Sequence, residues 1–281
     1  MNGIIVVNKP KGISSSKAVS IVKKTLNQKK VGHLGTLDPL AIGVLPICIG
    51  RATKLFDYFL KKTKTYIAQF TFGVSTDTLD SEGKVSSTCE NIPSVNQIKE
   101  SLSSFLGEIN QLPPKYSAKS VNGVRAYELS RKGIEFELKT KKVTISKFEL
   151  VKQISANTFE FLIDCSSGTY IRSLARDLAI KCNSLAYMSS LVRIRSGEFY
   201  LENAVELDEI TNKNVIKVDD VLSSLSKVNV EDEYYDKLKN GNAIKYNLED
   251  KNEFLLYCKN TLFGIAYCKN KLIKVKVNLY G

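Results

Sequence analysis

Residues 31–50 read VGHLGTLDPLAIGVLPICIG, a glycine-punctuated loop that runs into an apolar strand at 44–49. Gly32, Gly35 and Gly43, together with Pro39, keep the first part irregular. Glycine admits backbone conformations closed to other residues, and proline fixes its own φ. Asp38, inside this loop, is the first carboxylate of the chain and follows the only histidine, His33, by five residues. Seven lysines precede it without one acid, so residues 1–37 carry a net charge of +7. A cationic field favours the ionised carboxylate, which suits a nucleophile or general base better than a general acid. Asp-Pro is also a common turn pair, and the loop alone leaves that reading open.

Outward from the loop, strands and helices mix. Residues 3–8 read as a buried strand, and 15–27 as an amphipathic helix with Ala18, Ile21, Val22 and Thr25 on one face and the preceding serines as caps. A helix is expected at 51–61. A strand at 64–73 alternates with period two, placing Tyr66, Ala68, Phe70 and Phe72 on one side. Ser94 and Gln97 form a capping box ahead of a helix bearing Ile98, Leu102, Phe105 and Leu106. Strands follow at 142–151 and 157–165. The helix expected at 169–182 turns Ile171, Leu174, Ala175, Leu178 and Cys182 inward and presents Arg172 and Arg176 on its other face. A strand near 191–199 closes this part. Beyond about 225, a helix at 232–239 precedes three short strand-like runs, and Tyr-Cys-Lys-Asn occurs at both 257–260 and 267–270. At 281 residues the chain is near the ~250–300 limit of a single core, so one large α+β domain with a small β satellite is expected.

Composition narrows the function. Hydrophobic content of 43% with 25% charged residues describes an ordinary globule. No apolar run approaches the ~18 residues of a membrane span, and the first apolar run is too short for a secretion signal, so a cytoplasmic protein is expected. The six cysteines are scattered without a C-x-x-C pair, which fits free, mostly buried thiols in a reducing compartment. A single histidine excludes a His-rich zinc site, and no metal is expected. Residues 115–147 add a second basic patch of net +6, in a chain whose total is +12. Two patches on a near-neutral body point to a polyanion, with nucleic acid leading. Asp38 lacks the Asp-x-Asp context of aspartyl-phosphate enzymes. No Asp-Thr-Gly, phosphate-binding G-x-x-x-x-G-K-[ST] or dinucleotide G-x-G-x-x-G occurs.

GHLGTLDPLAIGVLPICIGRATKL (32–55) resembles the signature of the TruB family of tRNA pseudouridine-55 synthases. VVNKPKGISS (6–15), KTYIAQFTFGVSTDTLDSEG (64–83), LPPKYSAKSVNGVRAYELSRKG (112–133) and CSSGTYIRSLARDLA (165–179) resemble further family segments, in order over roughly residues 3–200. The resemblance implies the pseudouridine synthase fold: a mixed, mainly antiparallel sheet flanked by helices. The catalytic domain would span 1–225, with a basic, protruding and partly mobile thumb-like insertion at about 112–142. A small PUA-like, RNA-binding β-barrel would span 230–281. It also implies that Asp38 is the catalytic carboxylate, that Tyr66 stacks on the target base, and that Arg172 pairs with the aspartate. Tyr170 would lie in the same pocket, His33 would insert into the T-loop, and Lys9 and Leu191 would sit near the RNA backbone and the base pocket. The partner would be the T-arm of tRNA, clasped by the two basic patches, for a monomer working without guide RNA. Isomerisation needs no cofactor. Ile42, Thr65, Tyr187 and Val192 depart from the family pattern. A tRNA-binding protein without catalysis and another RNA-modifying enzyme, such as a methyltransferase, are the rival readings; the second lacks a glycine-rich donor site.

Overall fold

The computed structural model describes residues 1–117, 120–121, 123–125, 128–129, 133–134 and 136–280. The chain runs β1 (Gly3–Lys9), α1 (Ser15–Thr25), β2 (Val31–His33), β3 (Ile42–Ile49), a 3-10 turn, α2 (Phe56–Leu60) and β4 (Lys64–Phe72). A hairpin of β5 (Val74–Thr76) and β6 (Val85–Thr88) leads to α3 (Val95–Leu102) and β7 (Gly107–Gln111). A second hairpin, β8 (Ser120–Val121) and β9 (Val124–Arg125), precedes β10 (Lys141–Gln153), β11 (Thr158–Cys165), α4 (Ile171–Lys181) and β12 (Ala186–Ser196). Short β13 (Phe199–Tyr200), β14 (Ile216–Lys217) and α5 (Val218–Val221) connect to β15 (Lys227–Val230), α6 (Tyr235–Lys239), β16 (Ile244–Lys245), β17 (Lys251–Cys258), β18 (Thr261–Lys269) and β19 (Leu272–Asn278).

The main sheet has the order β14–β1–β3–β12–β4–β11–β10–β7, with β2 on β3 and β13 on β12. Its ladders are antiparallel except β3–β12, which is parallel and lasts two pairs, Val192↔Ile42 and Arg193↔Gly43. Strand β3, and β1 as far as Val7, are apolar because both their faces are covered. Ile5, Val7, Leu45 and Ile47 join the core under α1, α3 and α4, together with Tyr66, Phe70 and Phe72. Ile4, Val6, Val44 and Cys48 point the other way and share a second core with Leu255, Ile265 and Leu279. The C-terminal sheet, β15–β17–β18–β19–β16, therefore packs on the back of the main sheet, as well as enclosing its own core around Phe254 and Phe263.

The α+β architecture and the C-terminal β module agree with the sequence, as does the capping box, in which Ser94 and Gln97 bond reciprocally. The repeated Tyr-Cys-Lys-Asn falls at two hairpins out of step by one residue. Lys259–Asn260 and Asn270–Lys271 have φ of 51, 56, 52 and 60°, the left-handed pairs of two-residue turns. Leu106 is not inward: α3 stops at Leu102, a 3-10 turn follows, and Leu106 is 49% exposed. Arg172 is not on a solvent face either, being 6% exposed. The expected mobility of the insertion concerns residues that lie partly outside those described. All six cysteines are free, five of them buried. Among the described residues no helix is long and apolar enough to cross a membrane.

Candidate active site

The loop between β2 and β3 is held from three sides. Ser15, at the start of α1, is 2% exposed; its Oγ accepts from Leu37 N at 2.8 Å and donates to Leu37 O at 3.0 Å. Lys9 at the end of β1 donates from Nζ to Pro10 O, Ile13 O and Pro39 O at 2.8, 2.9 and 3.3 Å. Gly12 N reaches Pro39 O as well, at 2.8 Å. Arg193 on β12, 1% exposed, donates to Val44 O (2.7 Å), Gly35 O (3.1 Å) and Thr36 O (3.4 Å). The close parallel contact that allows this needs a glycine on β3. Gly43 has φ of 106°, and a Cβ there would sit 2.3 Å from Arg193 O. Every carbonyl from Gly35 to Pro39 except that of Asp38 thus accepts a side-chain hydrogen bond, and Asp38 O takes Ala41 N at 3.0 Å. The loop backbone is tied at each of these carbonyls, while the Asp38 side chain remains 37% exposed.

Arg172, the second residue of α4, meets that carboxylate: Nε lies 3.0 Å from Asp38 Oδ2. Its Nη1 lies 3.3 Å from Asp80 Oδ2 and donates to Thr78 O at 3.0 Å, and its Nη2 donates to Tyr116 O at 3.1 Å. Asp80 is 3% exposed and accepts further bonds from Thr78 Oγ1 (2.5 Å) and Glu82 N (3.1 Å). One guanidinium therefore couples the Asp38 loop to the β5–β6 loop and the residues after β7. Gln111 clamps the residue before α4, donating to Tyr170 O and accepting from Tyr170 N at 3.1 and 2.8 Å.

A cavity of about 300 Å³ opens between these elements, at the low end of ligand-sized pockets of ~300–1,000 Å³. Asp38, Tyr66, Tyr170, Arg172 and Leu191 all line it, so five of the seven residues singled out in the sequence converge. Tyr66 and Arg193 face each other across the β4–β12 ladder. Burial pushes the Tyr66 phenol up, opposed by the Arg193 cation, and burial likewise raises Tyr170. Lys64, Lys141, Arg172 and Arg193 line the cavity, with Asp38 the single acid among the described residues of its walls. That balance suits an anionic ligand.

The remaining two residues stand elsewhere. Lys9, expected near an RNA backbone, is wholly buried and serves the loop; burial lowers it to about 8. His33 lies half-buried on β2, outside the cavity walls, with Nδ1 buried and unpartnered among the described residues. Burial, then the Arg193 cation, lowers its pKa, which keeps the ring neutral at neutral pH. Sequence reasoning missed Asp80, Arg193, Ser15 and Lys64. The signals available were a cation at a strand position facing Tyr66 and an acid within 64–83.

A family model described as "TruB family pseudouridylate synthase (N terminal domain)" matches residues 23–171. The chain is 42% identical to the tRNA pseudouridine synthase B of Clostridium kluyveri, covering 99% of this chain and 96% of that one. It is 40% identical to the protein of that name from Mycoplasma mobile, covering 98% and 94%. Among solved structures it is similar to a chain of an H/ACA RNP bound to a substrate RNA containing 2′-deoxyuridine. The TM-score there is 0.70 at 21% identity, over 99% of this chain and 85% of that one. A chain of the archaeal box H/ACA sRNP Nop10–Cbf5 complex gives 0.70 at 21% identity, over 99% and 86%. At such identity these two matches speak for the fold.

Proposed function

The chain belongs to the TruB family of pseudouridylate synthases, and on that premise we propose that it isomerises a uridine of tRNA, the one at position 55 in the T-loop, to pseudouridine. The observation that carries the reading is the Asp38–Arg172 pair, at 3.0 Å and partly exposed, on the wall of a cavity the size of a small ligand. Asp38 is the nucleophile, attacking the sugar or the base. The N1–C1′ bond breaks, the uracil turns, C5 bonds to C1′ as the bond to Asp38 breaks and frees the carboxylate, the C5 proton leaves to solvent, and N1 takes up a proton. Arg172 holds the carboxylate in place. A target base must first leave its stack, at a cost of a few kcal/mol. Stacking on Tyr66 within the cavity and insertion of the neutral His33 ring into the vacated position offset that cost, at ~1–3 kcal/mol per stacked base. The buried Tyr66 phenol, held protonated, is positioned for proton transfer.

Six of the seven lysines in residues 1–37 are exposed and can follow RNA phosphates. The C-terminal β module, residues 230–281, acts as the RNA-binding companion of a catalytic domain at 1–225. The enzyme works as a monomer in the cytoplasm, without guide RNA. The test uses a tRNA transcript carrying tritium at uridine C5, together with a second transcript in which uridine 55 is cytidine. Release from the first and none above background from the second supports the assignment. Equal release from both removes position 55.

A further inference from the structure

Ser117 lines the same cavity, is 4% exposed, and its Oγ has no hydrogen-bond partner among the described residues. Unpaired buried hydroxyls are uncommon in folded proteins, because the group gives up its bonds to water on burial. The segment that delivers it is firmly held. Three side chains of α4 bond its carbonyls: Ser173 Oγ and Arg176 Nη2 reach Leu112 O at 2.8 and 2.9 Å, and Arg172 Nη2 reaches Tyr116 O at 3.1 Å. The Ser117 N–H is occupied too, by Lys115 O at 3.1 Å. The backbone that carries the hydroxyl is therefore fixed, and the hydroxyl lies beside Tyr170, whose phenol burial raises and this neighbour lowers in part.

We propose that Ser117 is a recognition residue, whose hydroxyl hydrogen-bonds the uridine nucleotide turned into the cavity. The inference rests on the reading of this cavity as the uridine site. The arginine that pairs with Asp38 also fixes the peptide before Ser117, so recognition and chemistry share one anchor. A hydroxyl both donates and accepts, and a uridine within tRNA offers it base carbonyls, the N3–H and the sugar 2′-hydroxyl.

The experiment compares single-turnover tritium release, tRNA binding and thermal midpoint for wild type, Ser117→Ala and Ser117→Thr. Ser117→Ala should lower kcat/KM about three- to tenfold, the worth of one neutral hydrogen bond. Its tRNA affinity should stay within twofold and its midpoint should be unchanged or higher. Ser117→Thr should stay within threefold of wild type. A transcript with 2′-deoxyuridine at the target separates the two partners. The alanine penalty disappears if the bond goes to the sugar and persists if it goes to the base, and either supports the proposal. Equal rates for Ser117→Ala and an active wild type overturn it. So does a variant that loses rate, affinity and midpoint together, which marks a structural residue. A wild type that releases no tritium removes the underlying reading and this inference with it.

Discussion

Replacing Ser15 with alanine deletes one oxygen that serves Leu37 twice, as acceptor for its N–H and donor to its carbonyl. Two such bonds contribute ~0.5–1.5 kcal/mol net each, and leaving both backbone groups unpaired in a dry site raises the cost. Leu37 is 3% exposed, so water does not readily replace them. The expected loss is about 2–4 kcal/mol in urea unfolding, with an unchanged m-value. The helix itself is spared, because its cap is Ser14, which accepts from Lys17 N at 3.1 Å. Turnover should fall more than stability explains. Leu37 precedes Asp38, and a shift of ~1 Å at a reacting group costs up to ~10²-fold. We expect single-turnover tritium release to drop at least tenfold, on that scale, with tRNA affinity within threefold. Ser14→Ala is the control: it should cost ~1 kcal/mol as a lost cap and leave the rate unchanged. A Ser15→Ala protein with full stability, or one destabilised by the expected amount at wild-type turnover, would refute the anchoring argument.

Arg172→Met strands the buried Asp80 carboxylate and frees Asp38; breaking such a pair costs ~3–5 kcal/mol, and turnover should fall more than 100-fold. Adding Asp80→Asn should recover stability without recovering turnover, so recovery of both would contradict the division of roles. Gly43→Ala should lower the thermal midpoint by about 5–10 °C, from ~2–3 kcal/mol of strain and displacement of β12; an unchanged midpoint would count against the close approach. Burial holds Lys9 and Lys64 near 8 against an ordinary 10.5. Between those values the unfolded chain binds more protons at both sites, so their contribution makes stability rise with pH. Lys64→Met should flatten that rise in urea titrations from pH 8 to 10.5, and identical slopes would exclude it.

Period-two alternation exposed β4, and the apolar runs of β1 and β3 were legible because each is buried on both faces. Helix α4 was legible as an element, but its polar face was not: helical spacing places Arg172 beside Arg176 and carries no information on the acids that other loops bring to it. Strand β12 begins five residues before its apolar pattern does. Bulges between Met188 and Ser190 and between Arg193 and Arg195 break the alternation, which hides Arg193 as an inward cation. Lys9 misled for a related reason. A lysine in a basic stretch reads as a surface charge, whereas three backbone carbonyls that converge only after folding bury it. Asp38 stood out as a cavity residue because the glycines, Pro39 and the family-like motif are all local. Asp80 and Ser15 could not, since their partners lie in other segments of the chain.

The central claim is that Asp38 performs the isomerisation. Wild type and Asp38→Asn should be compared for tritium release from a C5-labelled tRNA transcript, with tRNA binding measured on the same preparations. The account predicts release by wild type, background release by the variant, and tRNA affinity for both within about threefold, since phosphate contacts dominate affinity. Release by Asp38→Asn at a rate comparable to wild type would contradict it.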